Sequence, residues 1–382
     1  MNLPDYLTIH SISKIDIESF NSKSLAKKIV QFDSKFKFRK NDVVLLGVEE
    51  SRGSQNKNSK KSPDIVRKQL YSLSDFFQKQ RIVDLGNLKQ GNTLADTYAA
   101  LQFVISELIH KHVYIVLLGG TQNLTNPCFN ACEKAKRLTN IVSVDSRFDI
   151  GIEEEIDVSQ NHVGNILKKG SKFLFDYSNI GYQSYFVSKE DIDLLNTKLL
   201  FEATRLGKAR AELYELEPCL RDAHIVSFDI GAIRSESAPG NYYASPNGFT
   251  AEEACQISRY AGLGNSIFVF GVFEFNPSLD INNQTAMLIA QMIWYFIDGL
   301  NYKKEDANHI DLNKFIKYIV KLNNEYTITF YKSELTNRWW FEIPYQKLKD
   351  RNALISCSYK DYLRACEQEV PDRWWRSYQK IN

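Results

Sequence analysis

Four groups of polar residues follow apolar runs in this sequence, and each carries side chains able to hold a cation or a substrate. Gly119-Gly120-Thr121-Gln122-Asn123 follows Val113–Leu118, and Asp145-Ser146-Arg147-Phe148-Asp149 follows Ile141–Val144. Asp229-Ile230-Gly231 follows Ile225–Phe228, with Ala238-Pro239-Gly240 shortly after, and Glu274-Phe275-Asn276-Pro277 follows Ile267–Phe273. One Asp after a strand commonly caps a helix. Three Asp and one Glu brought to the same place would repel one another unless a cation sat among them. The chemistry expected of such a cluster is therefore cation binding, or catalysis that uses a cation.

The elements that must position these groups are legible from pattern. The apolar runs, with Val43–Val48, Phe173–Phe175 and Asn179–Tyr182, are rich in Val, Ile and Phe and nearly continuous, as strands buried on both faces are. Helical segments alternate with them. Pro63–Leu73 follows Ser62, Leu94–His110 follows Thr93, Thr250–Ala261 opens on a capping-box pattern, and Asn283–Leu300 is long and amphipathic. Alternating strands and helices predict a mostly parallel sheet between two helical layers. Ligand sites of such sheets lie beyond the carboxyl ends of the strands, where all four polar groups fall. Ser51–Ser62 is polar, holds three lysines and reads as a solvated loop over that end of the sheet.

Taken in order, the motifs Gly-Gly-x-Gln, Asp-x-Arg-x-Asp and Ser-x-Asp-x-Gly with a following Pro-Gly resemble those of the ureohydrolase superfamily, which includes arginase, agmatinase and formimidoylglutamase. The resemblance runs from about Val43 to Leu300. It implies a three-layer αβα arginase-like fold. It also implies a site where two Mn²⁺ ions activate a water that attacks a guanidinium or formimidoyl carbon. Carried over by position, Gln122 and Arg147 stand where histidine ligands belong, and Gly231 stands where an aspartate belongs. Asp145, Asp149 and Asp229 match the remaining ligands. His162 matches a proton-shuttling histidine of arginases and Glu274 a substrate-contacting acid, although His162 could equally cap a helix and Glu274 pair with an arginine. Ser62-Pro63-Asp64-Ile65-Val66-Arg67 and Gly181-Tyr182-Gln183 are most similar to formimidoylglutamase segments.

The replacements imply a different centre. Too few donors remain for two metals, so no metal cofactor is expected. A single Mg²⁺ or Ca²⁺ on Asp145, Asp149 and Asp229, helped by Gln122, is the intermediate case, because oxygen-only donors suit those ions. Arg147 cannot lose its charge in a protein, and its fork matches carboxylates. It is expected to ion-pair with at least one of the three aspartates. Three Asp and Arg147 leave a local charge of −2, and a nearby Arg234 would reduce it to −1. Loss of two-metal hydrolysis is thus the first expectation, and retained hydrolysis of a formimidoyl or guanidino compound the alternative.

Composition bounds the remaining possibilities. The chain has 382 residues, 43% of them hydrophobic and 25% charged, with a net charge of +2. These values fit a globular protein and give no overall attraction to a polyanion. Neither a membrane-spanning run nor a signal-peptide pattern is present, and a cytoplasmic location is expected. The six cysteines show no metal-binding spacing, and Cys128 and Cys132 read as buried reduced thiols on one helix face. The resemblance implies a homo-oligomer and a small guanidino or formimidoyl ligand. The expected organisation is an N-terminal segment 1–40 packed on the core, an α/β domain 41–300 and an aromatic-rich C-terminal extension 301–382. The extension holds Arg338-Trp339-Trp340 and Arg373-Trp374-Trp375. Base stacking on those rings is conceivable. Anchoring of the extension to the main body or to another subunit is the preferred reading, which argues against a nucleic-acid partner.

Overall fold

The computed structural model describes residues 2–8, 14–33, 35–77, 79–151, 158–304, 312–323, 326–344 and 352–382. Among them ten strands form one sheet: β1 (Leu7–Thr8), β2 (Val30–Gln31), β3 (Val43–Val48), β4 (Ile82–Leu88), β5 (Tyr114–Leu118), β6 (Thr139–Val144), β7 (Leu174–Tyr182), β8 (Glu202–Arg205), β9 (Ile225–Asp229) and β10 (Val269–Phe273). Their order is β1-β4-β3-β5-β10-β9-β6-β7-β8, with β2 also beside β4. Every pairing is parallel except β1 against β4. Two expected runs, 173–175 and 179–182, fall in the single strand β7 apart from Phe173, which precedes it.

Successive strand residues point to opposite faces, which divides the core in two. Leu45, Val116, Phe228, Phe270 and Val272 pack against helices Ser62–Ser72, Glu217–Asp222, Ala251–Leu263 and Gln284–Tyr302. Leu46, Leu117, Ile225, Val269 and Phe273 pack against helices Leu94–His110, Thr125–Lys134 and His162–Lys168. The expected three layers are present. Thr93 and Thr250 each close a capping box, with Asp96 and Glu253 respectively. Helices Ala251–Leu263 and Gln284–Tyr302 approach through Gly262, where a Cβ would lie 2.0 Å from the Phe296 carbonyl oxygen. Cys128 and Cys132 are buried and free, and burial raises both thiol pKa values. Among the described residues, no helix is long and apolar enough to cross a membrane.

After Tyr302 the chain builds a second unit. Strands β11 (Phe315–Leu322), β12 (Tyr326–Ser333), β13 (Trp339–Pro344) and β14 (Asn352–Cys357) form an antiparallel meander. Helices Tyr359–Cys366 and Asp372–Ile381 complete it. Trp339, Trp374, Phe330 and Phe341 fill its own core, and Trp374 stacks on Tyr378. Three of the four tryptophans of the Arg-Trp-Trp pairs are buried, leaving Trp375 partly exposed.

The arginines preceding those tryptophans face the α/β body. Arg338 pairs with Glu217 at 3.0 Å and Arg373 with Glu202 at 3.3 Å. From the body, buried Arg221 donates to the carbonyls of Trp339 and Cys357 and lies over the Trp340 ring at 4.3 Å. Asp222 accepts from the Ser356 N–H and hydroxyl. Anchoring is therefore ionic and through backbone carbonyls, with aromatic rings mainly inside the C-terminal unit.

Candidate functional site

The carboxyl ends of β5, β10, β9 and β6 are neighbours in the sheet, so the four polar groups converge. At the end of β5 the chain turns through Gly119 and Gly120, with φ of 75° and 74°. A Cβ on Gly120 would lie 2.7 Å from the Glu50 carbonyl oxygen, so the tight turn into Gln122 needs glycine. Gln122 is buried, donates its side-chain amide to Ser227 Oγ at 3.3 Å and has no partner for Oε1.

Glu274 ties three of these loops together. Its Oε1 accepts the Gln122 N–H at 2.9 Å and its Oε2 accepts Asn56 Nδ2 at 3.0 Å. Asn276 Nδ2 donates to Asn56 Oδ1 at 2.7 Å, and Asn241 Nδ2 to the Glu274 carbonyl at 3.2 Å. Glu274 has φ 65°, a conformation that costs a non-glycine residue about 1–3 kcal/mol and is retained by these bonds. The loop expected to be solvated is folded inward in part: Ser51, Ser54, Asn56 and Ser59 are buried, while Lys57, Lys60 and Lys61 are exposed. Its polar composition resembles that of a solvent-facing loop because its hydrogen bonds are made to a buried carboxylate.

The three aspartates lie within mutual electrostatic reach. Asp145 Oδ1 accepts the Arg147 N–H at 2.8 Å, and Asp229 Oδ1 accepts the Gly231 N–H at 2.6 Å. Asp149, at φ 50°, places its Oδ2 3.2 Å from His162 Nδ1. Because Nδ1 also lies 2.8 Å from the Ser159 carbonyl, which can only accept, Nδ1 carries the proton. His162 Nε2 is buried with no partner, as is Asp145 Oδ2. Burial is the main force raising the Asp145 pKa well above the carboxylate range, followed by Asp149 and Asp229. Burial likewise pushes Asp229 up to about 7 against the lowering effect of the Gly231 N–H, with Asp149 adding to the rise. Among the described residues, no three His, Cys, Asp or Glu side chains form a group able to hold a metal ion.

Arg147 departs from expectation. Its backbone N–H serves Asp145, yet its guanidinium is not within ion-pair distance of Asp145, Asp149 or Asp229. It lies instead 4.1 Å over the Phe186 ring. A planar guanidinium stacks well on an aromatic face and stays partly hydrated there, which avoids the desolvation a buried ion pair demands. It still lowers the Asp229 pKa through space. Arg234 pairs with Glu236 at 3.8 Å and reaches Ser237, away from the aspartates. Phe186 and Asn56 were not singled out in the sequence. Asn56 had a weak signal in its polar loop, and Phe186 had none.

With this geometry established, a family model for the arginase family matches residues 41–298. The chain belongs to the arginase family. Among arginase-family relatives, formimidoylglutamase of Staphylococcus haemolyticus (strain JCSC1435) is 24% identical over 281 residues, covering 68% of this chain and 86% of that protein. The structure of formimidoylglutamase from Bacillus subtilis subsp. subtilis str. 168 matches with a TM-score of 0.67 at 15% identity, over 77% of this chain and 97% of that one. That of Trypanosoma cruzi formiminoglutamase with Mn²⁺ gives 0.63 at 17%, over 69% and 95%. At such identities the structures share the arginase-family fold. The sheet β11–β14 lies outside the family match.

Proposed function

We propose that this arginase-family chain keeps its strand-end site for binding a small guanidino or formimidoyl ligand and does not run two-metal hydrolysis. Arg147 carries this reading. By the resemblance it occupies a histidine ligand's position, its charge is permanent, and its guanidinium acts on Asp229 through space. Gln122 and Gly231 stand at two further ligand positions. The three remaining donors do not fit two divalent ions, so no step is routed through metals.

Calorimetric titration with MnCl₂, alongside a hydrolysis assay on formimidoylglutamate, tests this. The expected result is no two-site Mn²⁺ binding and no turnover. Two Mn²⁺ per chain with turnover would overturn it.

A second reading, an active amidine C–N hydrolase, is favoured by His162. Its Nδ1–H is fixed by Ser159 and Asp149, leaving Nε2 open as a base. Turnover that vanishes in His162→Asn would establish it. A homo-oligomer in the cytoplasm remains part of the proposal, and light scattering on the purified chain tests the oligomer.

A further inference from the structure

Asn179 of β7 reaches across to the loop that follows β6. It is fully buried, and its side-chain amide donates to the Arg147 carbonyl at 2.7 Å. The other side of the same residue is held as well, because the Arg147 N–H donates to Asp145 Oδ1 at 2.8 Å. Both peptide units flanking the Arg147 Cα are therefore fixed, and with them its φ and ψ. The side-chain rotamers open to a residue depend on its φ and ψ. With this backbone the guanidinium leaves the loop towards Phe186 and lies 4.1 Å over that ring, off the three aspartates.

The loop does not need Asn179 to stay in place. The Asp145 N–H donates to the Ile180 carbonyl and the Gln183 N–H to the Ser146 carbonyl, each at 3.0 Å. Backbone bonds thus lace the turn to β7 as far as Ser146, and what Asn179 adds is the direction taken by Arg147. Direction matters because of what the strand ends lack. Gln122 Oε1, Asp145 Oδ2 and His162 Nε2 are buried without partners. All three are acceptors, since the histidine proton is on Nδ1. A guanidinium carries five N–H donors and no acceptor. Arg147, on the loop between Asp145 and Asp149, therefore holds the same chemical group as the guanidino ligand proposed above. Turned inward, it would compete for the site that it now borders.

We infer that Asn179 is a positioning residue that keeps the strand-end site open by directing Arg147 outward. The inference rests on the reading of that site as one for a guanidino or formimidoyl ligand. It adds the residue that stops the chain from occupying the site with its own arginine.

The test uses Asn179→Leu, which keeps the size of the side chain and removes its donor, and Asn179→Ser, which is too short to reach the Arg147 carbonyl and serves both arms if the leucine variant does not fold. The first arm is the crystal structure of the full-length variant and requires no ligand. The Arg147 guanidinium is expected within about 4 Å of Asp145, Asp149 or Asp229. A guanidinium still stacked on Phe186 overturns the inference. The second arm is calorimetric titration with formimidoylglutamate. Asn179→Leu is expected to weaken binding at least about tenfold, as a site open in about a tenth of the molecules would. Asn179→Leu/Arg147→Ala is expected to bind as Arg147→Ala does. Equal weakening with and without Arg147 overturns the inference, because Asn179 would then not act through Arg147. A parent chain that binds no formimidoylglutamate overturns the reading of the site, whereas the place of Arg147 in the variant structure still decides the role of Asn179.

Discussion

The strand-end site and the junction with the C-terminal unit both bury acids, and they treat them oppositely. At the junction, Glu202 faces Arg373 and Arg376, which overcome burial and hold its pKa down to about 2. At the strand ends, Asp145 and Asp229 face other carboxylates, and burial leaves their pKa values raised, that of Asp229 to about 7. Burial raises the pKa in both places, and the neighbours decide the outcome. Paired charge at the junction supports the fold. Unpaired charge at the strand ends opposes it and is tolerated around a site built to receive something else.

The sharpest way to break this contrast is to restore the missing ligands. Gln122→His/Arg147→His/Gly231→Asp should turn the aspartate cluster into a metal site. Gly231 admits the change, since a Cβ there comes no nearer than 3.1 Å to any atom, and that atom is Asp229 Oδ1. Metal analysis after dialysis should show Mn²⁺ retained by the triple variant and not by the parent chain.

At the junction, Arg221→Ala should cost about 3 kcal/mol in urea unfolding, because two carbonyls lose their donor and Trp340 its cation. Arg221→Met should cost less, since burial already opposes this charge and lowers its pKa.

The two regions should also respond to pH with opposite sign. Glu202, with a depressed pKa, contributes stability above the ordinary carboxylate value and loses it as pH falls towards about 2. Asp229, with a raised pKa, is favourable at low pH and opposes folding increasingly as pH rises from about 4 to about 7. Asp229→Asn should therefore match the parent near pH 4 and exceed its stability by about 1–3 kcal/mol at pH 8. An unchanged difference between those pH values would remove the contrast.

The smallest effect concerns Arg147. Arg147→Ala should cost only about 0.5–1 kcal/mol, the worth of a partly exposed guanidinium over Phe186. A loss several times larger would restore the buried ion pair expected from sequence.

The parallel core was legible because its strands are apolar on both faces. Strand β4 was not, since Ile-Val-Asp-Leu-Gly-Asn-Leu mixes Asp84 and Asn87 into a buried run. Asp84 is accommodated by buried Arg67 at 2.9 Å and the Tyr71 hydroxyl at 2.7 Å, partners far away in sequence. Charged edge strand β8 was hidden in the same way. The C-terminal sheet left an unused signal in Phe315–Leu322, FIKYIVKL, eight residues rich in β-branched and aromatic side chains. At the site, residue identities were readable and directions were not. The sequence placed Arg147 among aspartates, but its rotamer was set by Phe186, and the left-handed backbone of Asp149 and Glu274 has no signature in residue type.

The arginines that cross the junction bear on what can be separated. The acids they and nearby lysines meet, Glu202, Glu217, Glu212 and Asp176, all belong to the arginase-family part of the chain. Cutting the chain at the family boundary would leave four acids without these counter-ions along one flank, together with the freed Arg221 and Asp222. That flank depends on its covering, so the arginase-family core cannot be isolated at its boundary without exposing it.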